Sequence, residues 1–345
     1  MENLKNILVV RTDRMGDVVL TTPALRALRK AYPRARLSIL VAPSTRELVQ
    51  GHPDVDEVLL DDRKGRHAGL FGFWKLACEL RSRKFDAAII YHTKKRTNSL
   101  CFFAGIPLRT GFRNKKFGFL LTMPLADARH LGLKHEAQYC LDVLQGLGIP
   151  GGELSTFIPV QPESEKWADD FFRQEGLDPQ KTVALHPGSS DATRQWPVAR
   201  FAELLDILGE KYGTAAIIIG ADNVRPLAEQ MRARVRSRTV DLSGRTTVGQ
   251  MAGVLKRSRV LVSNDSGPVH VADALGTPVI SIFTRNQPGI NPERWKPLGP
   301  KSGIVVTPFL GQKSFGKKDA VESAYLDLVP VSEVLEAVDG IFKLC

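Results

Sequence analysis

The sequence predicts an α/β protein built as two parallel-sheet domains, and three observations carry that expectation. The chain has 345 residues, more than one ordinary hydrophobic core organises. Short apolar runs alternate with amphipathic helical stretches in both halves. A cluster of Gly148, Pro150, Gly151 and Gly152 separates the two series. The expected division is 1–160 and 161–345.

In the first half, Asn6 to Arg11 (NILVVR) reads as a buried strand and Thr12 to Asp17 as a turn. A helix follows with Pro23 near its first turn and Leu25, Leu28 and Ala31 on one face. Leu37 to Val41 and Val55 to Leu60 are strands, and Phe73 to Arg83 is a helix leading into a strand at Ala87 to Tyr91. After a basic segment, His135 to Leu147 has helical spacing and stops at Gly148.

The second half repeats the alternation. Helices are expected at Ser164 to Glu175, Phe201 to Lys211, Val224 to Val235 and Thr247 to Lys256. Strands are expected at Val183 to His186, Ala215 to Gly220 and Val240 to Leu242. Val260 to Phe283 (VLVSNDSGPVHVADALGTPVISIF) then forms one strand, turn, helix and strand unit. So short a connection forces a parallel pair with a right-handed crossover, leaving the helix N-terminus beside the first strand's C-terminal end. Open α/β sheets bind ligands there. Leu310 to Ala320 is polar and Gly-rich, and Val331 to Phe342 is a final amphipathic helix whose packing partner, the first domain included, stays open.

Composition is that of an ordinary globular chain. There is no apolar run long enough to span a bilayer, and the N-terminus lacks an export signal, so a cytoplasmic protein is expected. The four cysteines are widely spaced, without a CxxC pair, and the seven histidines form no HExxH or HxH pair. Neither a disulfide framework nor a metal site is expected. The net charge of +11 is uneven: Leu60 to Leu120 holds 14 Lys/Arg against 4 Asp/Glu, a local +10. Nucleic acid, anionic lipid or an acidic substrate would all answer that field, as would a solvated basic face.

Four places could carry chemistry. Asp17, in RMGDVVLTTPAL, follows the first strand where an open sheet exposes functional side chains, with Gly16 giving room beside it. It reads equally as a general base or a helix cap. His186 to Pro197 (HPGSSDATRQWP) ends a strand in a loop of small residues, Ser189 and Ser190, with Arg194 four residues on; this suits a diphosphate without being a P-loop. In the opening turn of the Val260 unit, Ser266 and Gly267 can present backbone N–H groups to an anion, with His270 one helical turn further. Asp265 repels such an anion, so it caps the turn or accepts a ribose hydroxyl. Asp222, after the Ala215 strand, could face a nucleotide sugar or base.

Together, MGD with TxPAL, HEAQYCLDVLQGLGI, HPGSS with R-x-WP, and NDSGPVHVADALGTP resemble glycosyltransferase family 9, the ADP-heptose:lipopolysaccharide heptosyltransferases. The resemblance implies a GT-B fold: two Rossmann-like domains facing across a cleft, acceptor on the first and nucleotide sugar on the second. It implies Asp17 as general base and Arg194, where the family usually has Lys, neutralising the diphosphate. Ser189, Ser190, Asp222, Asp265, Ser266, Gly267 and His270 would contact the donor. The reaction would be an inverting heptose transfer from ADP-heptose, with no metal or other cofactor. The acceptor, bearing Kdo carboxylates and lipid A phosphates, would be gripped by Gly16, Lys94, Lys95, Arg96, Arg113, Lys115 and Lys116 in peripheral contact with the inner leaflet, and no nucleic acid is expected. The segment FTRNQPGINPERW is longer than the family's usual turn there. Two rivals are a nucleotide-sugar epimerase on the same scaffold and a nucleic-acid-binding protein using the basic segment. The epimerase would turn over donor without acceptor. A nicotinamide dehydrogenase is disfavoured, because GxGxxG does not follow the first strand.

Overall fold

The apolar runs become strands and the amphipathic stretches cover them, in two separate compact units, 1–159 and 160–345. The computed structural model describes residues 4–307 and 328–343. The polar, Gly-rich segment expected at 310–320 lies outside the described residues.

In the first unit the strands are β1 (Asn6–Val10), β2 (Arg36–Val41), β3 (Glu57–Leu60), β4 (Ala87–Ile90), β5 (Leu108–Arg113) and β6 (Met123–Ala126). They pair in the order β3-β2-β1-β4-β5-β6, every pairing parallel. Helices α1 (Met15–Val19), α2 (Thr22–Ala31), α3 (Gly69–Ser82), α4 (Lys95–Phe103) and α5 (Glu136–Leu144) connect or follow them. Leu8, Val10, Ile90, Leu76, Leu80 and Leu100 form the core between the sheet and α3 and α4. The strand at Asn6 thus ends one residue earlier than expected, and Met15 to Asp17 is the first turn of α1 rather than a loop.

The second unit begins with α6 (Pro162–Gln174) and has strands β7 (Thr182–His186), β8 (Ala215–Ile218), β9 (Thr239–Asp241), β10 (Val260–Asn264), β11 (Val279–Phe283) and β12 (Gly303–Val306). Between them lie α7 (Val198–Tyr212), α8 (Arg225–Arg232), α9 (Val248–Arg257), α10 (Gly267–Ala274) and α11 (Pro292–Trp295), with α12 (Val331–Phe342) last. The order is β12-β11-β10-β7-β8-β9, again all parallel. Numbered from its own first strand, this is the same 3-2-1-4-5-6 arrangement as in the first unit, the doubly wound order whose direction reverses between strands 1 and 4. Helix α12 packs within this unit: Val331, Val334, Val338 and Ile341 join Phe201, Leu205 and Val262 in one core, and Lys211 and Tyr212 of α7 both bond Asp339.

Candidate functional site

The chain leaves β1 through Arg11, whose side chain is 1% exposed. A guanidinium cannot be buried unpaired. It meets three carboxylates: Nε lies 3.0 Å from Asp13, and Nη2 lies 2.5 Å from Asp17 and 3.1 Å from Glu136. Glu136 opens α5, is itself 1% exposed, and has the Arg129 guanidinium 3.9 Å away. Asp17 therefore spends its carboxylate on Arg11, and α1 has no side-chain cap. Its pKa is pushed up to about 6, first by burial and then by the charges of Asp13 and Glu136, with Arg11 pulling the other way. At 16% exposure its side chain still reaches the surface. Gly16, beside it, is buried in α1.

The adjacent strand β4 delivers cations to the same edge. His92 Nδ1 is 3.0 Å from the Thr12 hydroxyl, to which Arg63 also donates at 2.7 Å. Burial, followed by the charges of Arg11, Lys94 and Arg63, lowers the His92 pKa to about 3, so its ring is neutral at pH 7. Lys94 is the N-cap residue of α4, and its pKa is lowered first by contact with the Lys116 ammonium. Two ammonium groups held together favour an anion between them. Lys95, Arg113, Lys115 and Lys116 are exposed. Arg96 differs: it clamps the fully buried Asp61 through Nε and Nη2 and donates to the His67 carbonyl at 2.9 Å. Arg96, expected among the residues that grip an acceptor, is thus already paired with a buried carboxylate.

In the second unit, the loop after β7 meets the loop after β10. Gly188 has no room for a side chain, since a Cβ would come within 2.7 Å of Val224 and 3.2 Å of the His186 ring. Asn264, buried, ties the loops together: its Oδ1 accepts from the Trp196 N–H at 2.8 Å and its Nδ2 donates to the Pro187 carbonyl at 2.7 Å. The Trp196 indole N–H donates to the Val329 carbonyl, just before α12. Ser266 does not cap α10; its hydroxyl lies 2.9 Å from Ser263 and 3.0 Å from His186 Nδ1. Burial lowers the His186 pKa to about 4, leaving this ring also neutral.

Arg194 bridges the loops, donating to Asp265 at 2.9 Å and Ser190 at 2.7 Å. Asp265 is thus a counter-ion to Arg194. Ser189 Oγ accepts weakly from the Asp191 N–H. A second guanidinium, Arg285, lies 3.7 Å from Asp191. Its pKa is lowered by burial and by the charge of Arg194. Two guanidiniums over a loop of small residues, beside a helix N-terminus, suit a diphosphate. His270 is buried on α10, its ring 6.3 Å from that of Trp295. Asp222, after β8, has its side chain 83% exposed and paired with Arg225 at 3.1 Å.

The family model described as Glycosyltransferase family 9 (heptosyltransferase) matches residues 73–325. The chain belongs to that family. Among family-9 relatives, it is 24% identical to the lipopolysaccharide heptosyltransferase 2 of Escherichia coli strain K12, with 97% of this chain and 98% of that protein covered. It is also 24% identical to the lipopolysaccharide core heptosyltransferase OpsX of Haemophilus influenzae, covering 91% and 88%. A solved family-9 glycosyl transferase from Veillonella parvula superposes with a TM-score of 0.86 at 25% identity, covering 100% and 99%. The E. coli ADP-heptose lipopolysaccharide heptosyltransferase II gives 0.79 at 21%, covering 98% of each chain, and shares the fold. This family-9 enzyme is therefore a glycosyltransferase of the heptosyltransferase type, and the epimerase reading gives way.

Sequence reasoning had passed over Arg11, Asp13, His92, Glu136 and Arg285 in this family-9 chain. Arg11 and His92 follow β1 and β4, and Arg285 follows β11, so position after a buried strand was the available signal. For Glu136 there was none beyond the HEAQYC motif, since its partner lies 125 residues away.

Proposed function

We propose that the enzyme moves a heptose from ADP-heptose to a sugar hydroxyl of the lipopolysaccharide inner core, with inversion at the anomeric carbon. The observation that carries this reading is Asp17, a carboxylate past β1 whose pKa of about 6 suits proton abstraction near neutrality. Asp17 takes the acceptor hydroxyl's proton as that oxygen bonds to the anomeric carbon. The bond from that carbon to the β-phosphate oxygen breaks, and ADP leaves with the electron pair. The second unit holds the donor: Arg194, Ser189, Ser190 and the Gly267 helix end meet the charge growing on the β-phosphate. Arg194 stands in for the family's lysine, and Arg285 adds a second guanidinium. Asp265, Ser266 and His270 shape that loop and helix, while Asp222, exposed beyond them, is assigned to the nucleoside.

The first unit holds the acceptor, whose carboxylates and phosphates meet Lys94, Lys95, Arg113, Lys115 and Lys116. That acceptor is membrane-borne. Among the described residues no helix is long and apolar enough to cross a bilayer. Contact is therefore proposed as peripheral, from the cytoplasmic side of the inner membrane.

The deciding experiment incubates the protein with ADP-heptose and a panel of truncated lipopolysaccharide acceptors, with Asp17→Ala in parallel. One acceptor should gain a heptose only with the unsubstituted enzyme; transfer by Asp17→Ala at an equal rate would overturn the assignment of the base. The protein's own cationic groups supply the positive field, so transfer should persist in excess EDTA. Strict dependence on an added divalent metal would remove that part.

A further inference from the structure

A helix lying on a sheet normally turns polar residues outward. Helix α3 buries Gly72, Leu76, Ala77 and Leu80 against the first sheet, yet its outward side carries Leu70, Phe71 and Trp74. Phe71 is 94% exposed and Trp74 43%. The patch continues onto α4: the Trp74 ring lies 4.8 Å from that of Phe103, and Phe102 lies 5.3 Å from Phe103, both rings exposed. A second exposed pair, Phe117 and Phe119, has the Lys95 ammonium 5.4 Å over the Phe117 ring.

We infer that the outward faces of α3 and α4, with Phe117 and Phe119, dock the enzyme on an anionic lipid bilayer. Contiguous aromatic surface open to water marks a contact site. The charge around it chooses the occupant: besides Arg96, which holds Asp61, α3, α4 and residues 113–121 carry six Lys/Arg against one carboxylate, Glu79. Glu79 is itself taken up by Arg66 and lies 3.6 Å from His67. Rings that settle at the headgroup boundary, flanked by ammonium and guanidinium groups that meet lipid phosphates, are the composition of an interfacial anchor. Leu70 and Phe71, at the exposed start of α3, form its inserting tip.

The inference extends the membrane-borne acceptor proposed above, but it is read with neither substrate present, so either can fail alone. The test is flotation with phosphatidylglycerol/phosphatidylethanolamine vesicles and with phosphatidylcholine vesicles, comparing the natural protein with Leu70→Ser/Phe71→Ser and Lys75→Glu. Binding should favour the anionic vesicles and weaken in about 0.5 M NaCl. The double substitution should lower partitioning about tenfold or more, since two inserted apolar side chains are lost. Transfer to a delipidated, soluble acceptor should be unchanged in both variants, which also shows that they fold. Unaltered partitioning of the double variant would overturn the inference. So would a natural protein that is oligomeric by light scattering and becomes monomeric in that variant, because the face would then cover a second copy. Equal loss of transfer to the soluble acceptor would place the patch in the acceptor site instead.

Discussion

The two units share one strand order and place their candidate loops beside its reversal point, yet they arrange charge there differently. After β1 the first unit gathers three carboxylates on one guanidinium, a local surplus of negative charge that keeps Asp17 protonatable near neutrality. After β7, β10 and β11 the second gathers two guanidiniums, each facing one carboxylate, Asp265 or Asp191, with small hydroxyl residues and a neutral histidine. The topology fixes where such clusters form, and a few residues at strand ends fix whether carboxylates crowd one guanidinium or two guanidiniums each face one carboxylate. One field suits removing a proton, the other accepting a departing diphosphate.

The contrast breaks most visibly at Asp17. Asp17→Asn should lower kcat by about 10³-fold, in the range of a lost general base, and abolish the acidic limb near pH 6 in kcat/KM. ADP binding, measured by calorimetry, should be unaltered; a parallel loss would mean that the two loops are not chemically separate. Next, Arg194→Ala should cost about 10²-fold in kcat through lost stabilisation of the leaving group, with Arg194→Lys recovering most of it. A KM effect alone would assign Arg194 to ground-state binding.

Arg11→Met tests the first cluster as structure. Removing the shared cation leaves the three carboxylates with only Arg129, 3.9 Å from Glu136, to offset them and should cost about 3 kcal/mol in chemical denaturation at neutral pH. The Asp17 carboxyl, already raised, should rise further. A raised carboxyl pKa favours the protonated fold, so stability is fully present below the unfolded value, near 4, and is lost as pH rises through the folded one. The deficit should therefore shrink towards pH 4. The smallest effect concerns His186: its pKa of about 4 predicts ADP affinity that is flat from pH 5 to 8, whereas a step near 6.5 would show a histidine charged on binding.

Strands with continuous apolar runs, such as NILVV and VISIF, were legible because burial on both faces leaves no other composition. Strands β5 and β6 were not. LRTGFR carries two arginines and MPLA a proline at the sheet's edge, where one side of the ladder needs no partner. Helix α4 was hidden inside the basic segment. At the site, loop positions after strands could be read, but pairings could not. Arg96 looked like its basic neighbours until the fold brought Asp61 against it from 35 residues away. Arg194 and Asp265, each singled out for a ligand, proved to be each other's partner across 71 residues.

Trp196 gives the loop after β7 an unexpected dependent. Its backbone holds Asn264, which holds Pro187, while its indole is pinned by the carbonyl of Val329. Cutting the chain ahead of Val329 would release that indole together with α12. Val331, Val334, Val338 and Ile341 would leave the second unit's core with it, so the loop after β7 and the packing beneath it would loosen together.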